Sequence, residues 1–256
     1  MIRLALPTLV LAAFTVATPH AEAVRFTIDS SQSSLALDSA IALGAVPGLI
    51  APGGGGETSL SGSLVADVTD TTFEILPGSL FVADDEGSFL PGIPEGPLFL
   101  GNNTTPAPAS FAFFYPTGMV PQIGIDIAVA LRDLTFSIDD TAPRALGGGV
   151  LGAGTPDLAI VSGEGHLNAG TPAISPLPVF GVTSVTSGPG TTTLVGNLMT
   201  ISLPIELVVS EPGGLFSQST YSGVIVASGV IPEPGSATLL AVFVGAGSLR
   251  RRGRYA

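Results

Sequence analysis

The chain has 256 residues, 45% hydrophobic and 11% charged, with 34 Gly, 22 Pro, no Cys and a net charge of −12. That apolar fraction is enough to build a core, so neither a collagen-like nor a disordered chain is expected, and one globular domain of ordinary size is. The lack of Cys excludes a disulfide-stapled scaffold, and the acidic balance argues against nucleic acid and anionic lipid as partners, since both would meet like charge.

Met1-Ile2-Arg3 gives a short basic start, residues 4–17 are apolar, and Ala21-Glu22-Ala23 has the small-x-small form of a signal-peptidase site at Ala21 and Ala23. Pro7 and the short apolar run favour cleavage over an uncleaved anchor. Residues 1–23 are therefore expected to be a signal peptide removed by signal peptidase, with the exported domain covering residues 24–230. Of the 20 acidic residues only Glu22 and Glu233 lie outside that domain, which holds three arginines, Arg25, Arg132 and Arg144, and no lysine. Cations, neutral glycans or basic partners suit such a surface, as does simple solubility.

From Val24 onward the dominant pattern is alternation. In TSLSGSLVADV, Leu60, Leu64, Ala66 and Val68 share one parity while Ser59, Ser61, Ser63 and Asp67 take the other, the signature of a half-buried antiparallel strand. Further strands are expected at VRFTID, SSLALDSAIAL, TTFEIL, GSLFVAD, SFAFFY, DLAIVSG, PVFGVTSV and STYSGVIVASG, separated by Gly/Pro punctuation such as PGGGGE, LPGIPEGP and NNTTPAPA. No stretch of 24–230 shows helical apolar spacing over three turns. The expected fold class is all-β, an antiparallel β-sandwich, with a β-barrel as the alternative.

The acidic run Asp84-Asp85-Glu86-Gly87-Ser88, with Glu95 beyond, resembles a calcium loop at Asp84, Glu86, Ser88 and Glu95, but Phe89 stands where the sharp turn needs Gly. A solvated acidic turn is expected, with an irregular Ca²⁺ site as the second reading. Asn102 and Asn103 each satisfy the N-x-[ST] pattern and mark an exposed loop; no sugar is inferred.

In QIGIDIAVALRDLTFSID, apolar residues keep odd parity through Ile123, Ile125, Ile127, Val129 and Leu131, then switch to even at Leu134, Phe136 and Ile138. One extra residue near Arg132-Asp133 explains the switch, so a β-bulge is preferred to two strands joined by a turn, for which no Gly, Pro or Asn is present. Gly147, Gly149 and Gly152 match a dinucleotide fingerprint literally, but Gly154, Thr155 and Pro156 follow at once and leave no helix to face a phosphate; a flexible loop is expected. His166, the one histidine outside the signal peptide, is read as a surface or turn residue without a partner. Neither G-x-S-x-G nor a two-histidine metal spacing occurs. In NLMTISLPIELVV, Met199, Ile201, Leu203, Ile205, Leu207 and Val209 point one way, and Pro204 places an edge or a bend in that strand.

The last segment is tripartite. Pro232-Glu233-Pro234 follows the final strand, residues 235–249 carry no charge, and Arg250, Arg251, Arg252 and Arg254 close the chain. As a helix the fifteen-residue run spans ~22 Å, less than the ~30 Å hydrocarbon core, so it crosses only with arginine snorkelling and local thinning. The arginines form a basic stop on the cytoplasmic side while the signal peptide sends the domain outward. One short transmembrane helix is thus expected within residues 231–256.

That tail resembles the PEP-CTERM sorting signal, in which Pro232, Glu233 and Pro234 match the motif, followed by the apolar helix and basic end. The resemblance covers about the last 25 residues and implies processing by an exosortase, an inner-membrane intermediate, and delivery to the cell surface or extracellular matrix of an exopolysaccharide-making Gram-negative bacterium. FTIDSSQSSLAL is similar to the first strand of PEP-CTERM β-domains and to the opening of YceI-like lipid-binding barrels, which usually carry His where Gln32 stands.

The expectation is a non-enzymatic structural or interaction protein of the cell surface, without cofactor, metal site or catalytic residues. A β-barrel holding an apolar ligand is the alternative. The third reading, a matrix-polymer hydrolase, needs two facing carboxylates among Asp126, Asp133, Asp139, Asp140 and Glu164.

Overall fold

The computed structural model describes residues 23–41, 46–47, 49–50, 56–89, 107–115, 127–168, 172–176, 183–184, 187–209 and 216–232. Ala21, Glu95, Asn102, Asn103, Asp126, Glu233, Pro234, the four terminal arginines and the C-terminal apolar run lie outside them. Ala23 and Pro232, the first and last described residues, are both exposed.

The described residues form strands without a helix. The first half holds β1 (Val24–Ile28), β2 (Ser34–Ile41), β3 (Val46–Pro47), β4 (Leu49–Ile50), β5 (Glu57–Val68), β6 (Thr72–Ile75), β7 (Ser79–Ala83), β8 (Glu86–Phe89), β9 (Ala107–Ala109) and β10 (Phe111–Tyr115). The second holds β11 (Ile127–Asp140), β12 (Arg144–Gly147), β13 (Val150–Leu151), β14 (Pro156–Asn168), β15 (Pro172–Pro176), β16 (Thr183–Ser184), β17 (Gly190–Val195), β18 (Leu198–Val209) and β19 (Phe216–Val230). Neighbours pair antiparallel in one large sheet, and β8 and β9 form a separate two-stranded ribbon. The all-β, antiparallel expectation therefore holds.

β5 is the hub. On one side it pairs with β1 and β2, on the other with β6 and β7. One route of pairings runs β5–β1–β19–β18–β17–β13–β12–β6 and returns to β5, a closed circuit of eight strands. The other route leaves β5 through β7 to β11 and β14. Along the sheet β11 lies four inter-strand steps from β19, which in a flat sheet would separate them by ~19 Å. Yet the Phe136 ring on β11 meets the Tyr221 ring on β19 at 5.7 Å, so the sheet curls over and its two wings share one core.

Within that core Phe81 stacks on Phe136 at 4.9 Å, Phe111 meets Tyr221 edge-on at 5.9 Å, and Phe26 meets Phe73 edge-on at 5.7 Å. Such pairs add ~0.5–1.5 kcal/mol each beyond the apolar area they bury. Burial pushes the Tyr221 phenol well above its ordinary pKa. Leu60, Leu64 and Ala66 of β5 are buried on the face that alternation assigns them, as are Met199, Ile201, Leu203, Ile205 and Leu207 of β18. Pro204 pairs with Val224 of β19, while pairing to β17 ends at Ser202, so among the described residues its missing N–H falls where the ladder on the other side has ended.

The parity switch in β11 is a bulge. Pairing with β14 slips between Arg132 and Thr135, and Asp133 has φ 54°, a left-handed conformation that lets one residue drop out of register. The glycine-rich stretch differs from the expected flexible loop. Gly148 and Gly149, at φ 61° and 79°, make the two-residue turn of the β12–β13 hairpin, a backbone shape that strongly favours Gly at both positions.

Candidate functional site

The bulge at Asp133 determines what lies on the outer face of β11. Before it, Val129 and Leu131 enter the core and Ala130 and Arg132 face outward; after it, Leu134, Phe136 and Ile138 enter the core. The β8–β9 ribbon folds over that outer face, and Phe89, Ala109, Ala112 and Ala130 form a second, smaller apolar cluster beneath it. Arg132 is buried to 2% exposure under the ribbon, donating from Nε to the Pro108 carbonyl at 2.7 Å and from Nη2 to the Ala107 carbonyl at 3.3 Å. The guanidinium thus serves as the ribbon's fastener.

His166 lies beside it. Across the β11–β14 ladder Ala130 faces His166 and Arg132 faces Glu164. His166 is 1% exposed, its Nε2 is 3.1 Å from Glu164 Oε2, and its Nδ1 has no hydrogen-bond partner among the described residues. The expected surface position without a partner is thus corrected: β14 continues past Gly163 through Asn168 and carries His166 to a buried position between β11 and β15, with Glu164 at hand. Burial lowers the His166 pKa from its ordinary value, with Arg132 adding to the effect and the Glu164 hydrogen bond opposing it. Burial likewise lowers that of Arg132; guanidinium basicity is so high that the charge persists.

The acidic run 84–86 fans out. Asp84 accepts from Ser59 Oγ at 3.0 Å and Ser61 Oγ at 2.6 Å, and Glu86 accepts from Ser59 Oγ and from its N–H. Asp85 turns toward the bulge, accepting from Ser110 Oγ at 2.6 Å and from the Asp133 N–H at 3.3 Å. Desolvation raises the Asp85 pKa against the Ser110 hydrogen bond. Asp85 thus separates from Asp84 and Glu86, and among the described residues no three His, Asp or Glu groups converge to hold a metal.

The remaining carboxylates are placed as follows. Asp140 is a buried partner of Arg144: Nε donates to both carboxylate oxygens at 2.8 and 2.9 Å, and Asp140 Oδ2 also accepts from the Ile75 N–H at 2.9 Å. Arg144 Nη1 donates to Ser187 Oγ, and Gly154 lies against the guanidinium so closely that a Cβ would sit 2.7 Å from Cζ. Asp139 stands opposite Asp157 across the β11–β14 ladder, and desolvation, then the Asp157 and Asp140 charges, raise its pKa. Asp133 is exposed in the bulge and Glu164 half exposed beside His166. Ser110 Oγ also reaches the Ala83 carbonyl at 2.9 Å; its described partners do not include His166, and no nucleophile–base pair is formed among the described hydrogen bonds.

The Arg132–His166 constellation is the part that sequence reading missed. Its available signals were the even parity shared by Glu164 and His166 and the proximity of Arg132 to the bulge. Neither says that a ribbon more than 20 residues away in sequence covers Arg132, or that His166 is buried between β11 and β15. The chain matches none of the family models, curated proteins or solved structures with which it was compared.

Proposed function

We propose that the protein is an exported structural or interaction module of the cell surface or extracellular matrix, delivered through a PEP-CTERM-type tail that an exosortase processes. The observation that carries the reading is the junction at the end of β19: the last strand stops at Val230, and Pro232 follows directly in exposed, non-helical backbone. Proline cannot donate to a ladder, and it disfavours helix in the residue before it, so the two prolines favour an extended boundary that an enzyme can reach. The uncharged run and arginine cluster that follow supply a transient span and its cytoplasmic stop.

For the domain itself we favour a sandwich-like display module over a ligand-binding barrel. Phe26, Phe73, Leu64, Met199 and Ile201, from strands around the closed circuit, are all buried in the common core, which leaves their volume to packing. A matrix hydrolase has less support, since Asp140 is neutralised by Arg144 and Asp139 faces Asp157 directly across a ladder. Exopolysaccharide is the partner class that the proposed destination suggests.

Replacing Pro232, Glu233 and Pro234 with alanines in the native host tests the sorting reading. Full-length chain should accumulate in the inner membrane. Release of that variant, shortened at its C-terminus like the wild type, would show that the motif is not what the processing enzyme reads.

A further inference from the structure

The tip of the β17–β18 hairpin is the most exposed apolar feature among the described residues. Leu194 is 63% exposed, Val195 77%, Leu198 44% and Val230 58%. Val195 stands opposite Leu198, and Leu198 opposite Val230, so three of these side chains form one cross-strand row on the same face, while Leu194, opposite Met199, is exposed on the other face of the same tip. Residues 165–205, which include the whole hairpin tip, contain no Asp, Glu, Lys or Arg in a chain of net charge −12. Leaving such a row in water forgoes the apolar burial that each side chain could still gain.

The chain leaves the domain at this spot. The Ile231 N–H donates to the Asn197 carbonyl in the hairpin turn at 2.8 Å, which ties the exit to the tip. Only two residues, Glu233 and Pro234, separate Pro232 from Gly235, where the uncharged run begins, a reach of at most ~11 Å over three chain steps. If the run enters a bilayer, the tip is confined to the interface. The β5–β6 turn carries Asp70, exposed, near this end, so contact on the hairpin side is favoured over contact across the whole end.

We propose that Leu194, Val195, Leu198 and Val230 seat on the outer leaflet of the membrane that holds the C-terminal run, and so hold Pro232-Glu233-Pro234 at the lipid surface. The inference rests on the reading of the tail as a transient span. The acidic balance that keeps most of the domain away from anionic lipid orients it, because this charge-free tip is the surface that approaches without repulsion. The seat is apolar, made by side chains entering the headgroup boundary.

The absence of cysteine allows single labels to be placed. The full unprocessed chain, carrying Val195→Cys with an environment-sensitive fluorophore, is reconstituted into phosphatidylethanolamine–phosphatidylglycerol vesicles containing doxyl-quencher lipid. Its emission should shift to the blue and be quenched. A label at Ser88→Cys, on the β8–β9 ribbon, should remain in water, and one at Ala241→Cys, in the run, should lie in lipid. Adding Leu194→Asp and Leu198→Asp should abolish the Val195 shift while the run stays in lipid; a shift that survives them is dye partitioning and overturns the seat. A run in lipid with Val195 in water also overturns the seat but leaves the tail reading standing. A run label in water overturns both. A Val195 label that becomes dry with rising protein concentration and no vesicles assigns the row to a second copy of the chain, and overturns the lipid seat.

Discussion

Two of the domain's three arginines are buried, and they are buried for different purposes. Arg144 lies inside the main structure with every charge answered: Asp140 takes its Nε and Nη2, Ser187 takes Nη1, and Gly154 packs on its plane. Arg132 lies between the outer sheet face and the β8–β9 ribbon, bonded to two backbone carbonyls, with Asp85, Asp133 and Glu164 near enough to influence its charge. The first joins β11, β12 and the segment before β17 into the circuit. The second holds a thin cover on one face. Equal burial therefore does not mean equal leverage: what matters is how much structure must separate before water reaches the charge.

The largest expected effect follows from breaking the first site. Arg144→Met strands the Asp140 carboxylate in a buried place, a change that in comparable pairs costs ~3–5 kcal/mol. Urea unfolding should show a midpoint far below wild type, and adding Asp140→Asn, which removes the charge but still accepts from the Ile75 N–H, should recover part of the loss. A lone Arg144→Met that unfolds like wild type would mean the pair contributes little.

Breaking the second site should be milder and local. Arg132→Met removes the donors to Pro108 and Ala107, whose carbonyls can turn to water if the ribbon lifts, so the loss should be near the ~1–3 kcal/mol of unsatisfied groups rather than that of a stranded ion. Hydrogen exchange should quicken in β8 and β9 while β18 and β19 keep their protection. Equal acceleration across both regions would erase the distinction drawn between the two arginines.

The smallest effect sharpens the contrast through pH. His166 has a folded pKa below its ordinary value of 6.5, so the unfolded chain takes up a proton first as pH falls. Its contribution to stability is fully present above that ordinary value and is lost as pH drops through the lowered folded value. Thermal melts between roughly pH 7 and 5 should therefore show a decline that His166→Gln flattens, whereas Arg144→Met should lower the whole curve without removing the slope. A slope unchanged in His166→Gln would assign it to other groups; Asp85, whose raised pKa makes the folded chain take up its proton first, acts in the opposite direction.

What could be read along the chain was whatever repeats over a few residues. Alternation located the inward faces of β5 and β18, and a single change of parity located the bulge at Asp133, because a pleat has a period of two and an inserted residue must invert it. Pro204 announced an edge for the equally local reason that it lacks an N–H. His166 was misplaced because turn-rich surroundings, GEG before it and NAG after it, resemble a loop, whereas β14 continues through it as a central strand paired with β11 on one side and β15 on the other. The Arg144–Asp140 pair had the same difficulty: a four-residue spacing is visible in the sequence, but Ser187, Gly154 and the Ile75 N–H that complete the site come from distant segments. By itself the sequence determined the strand faces and the bulge, and it sets out the tail's order of Pro-Glu-Pro, uncharged run and arginine cluster, all of which follow from neighbouring residues. Only the tertiary structure decided which polar groups are enclosed and where the exit strand meets an apolar tip, since both depend on sheet closure, and closure is set by pairing between strands far apart in the chain.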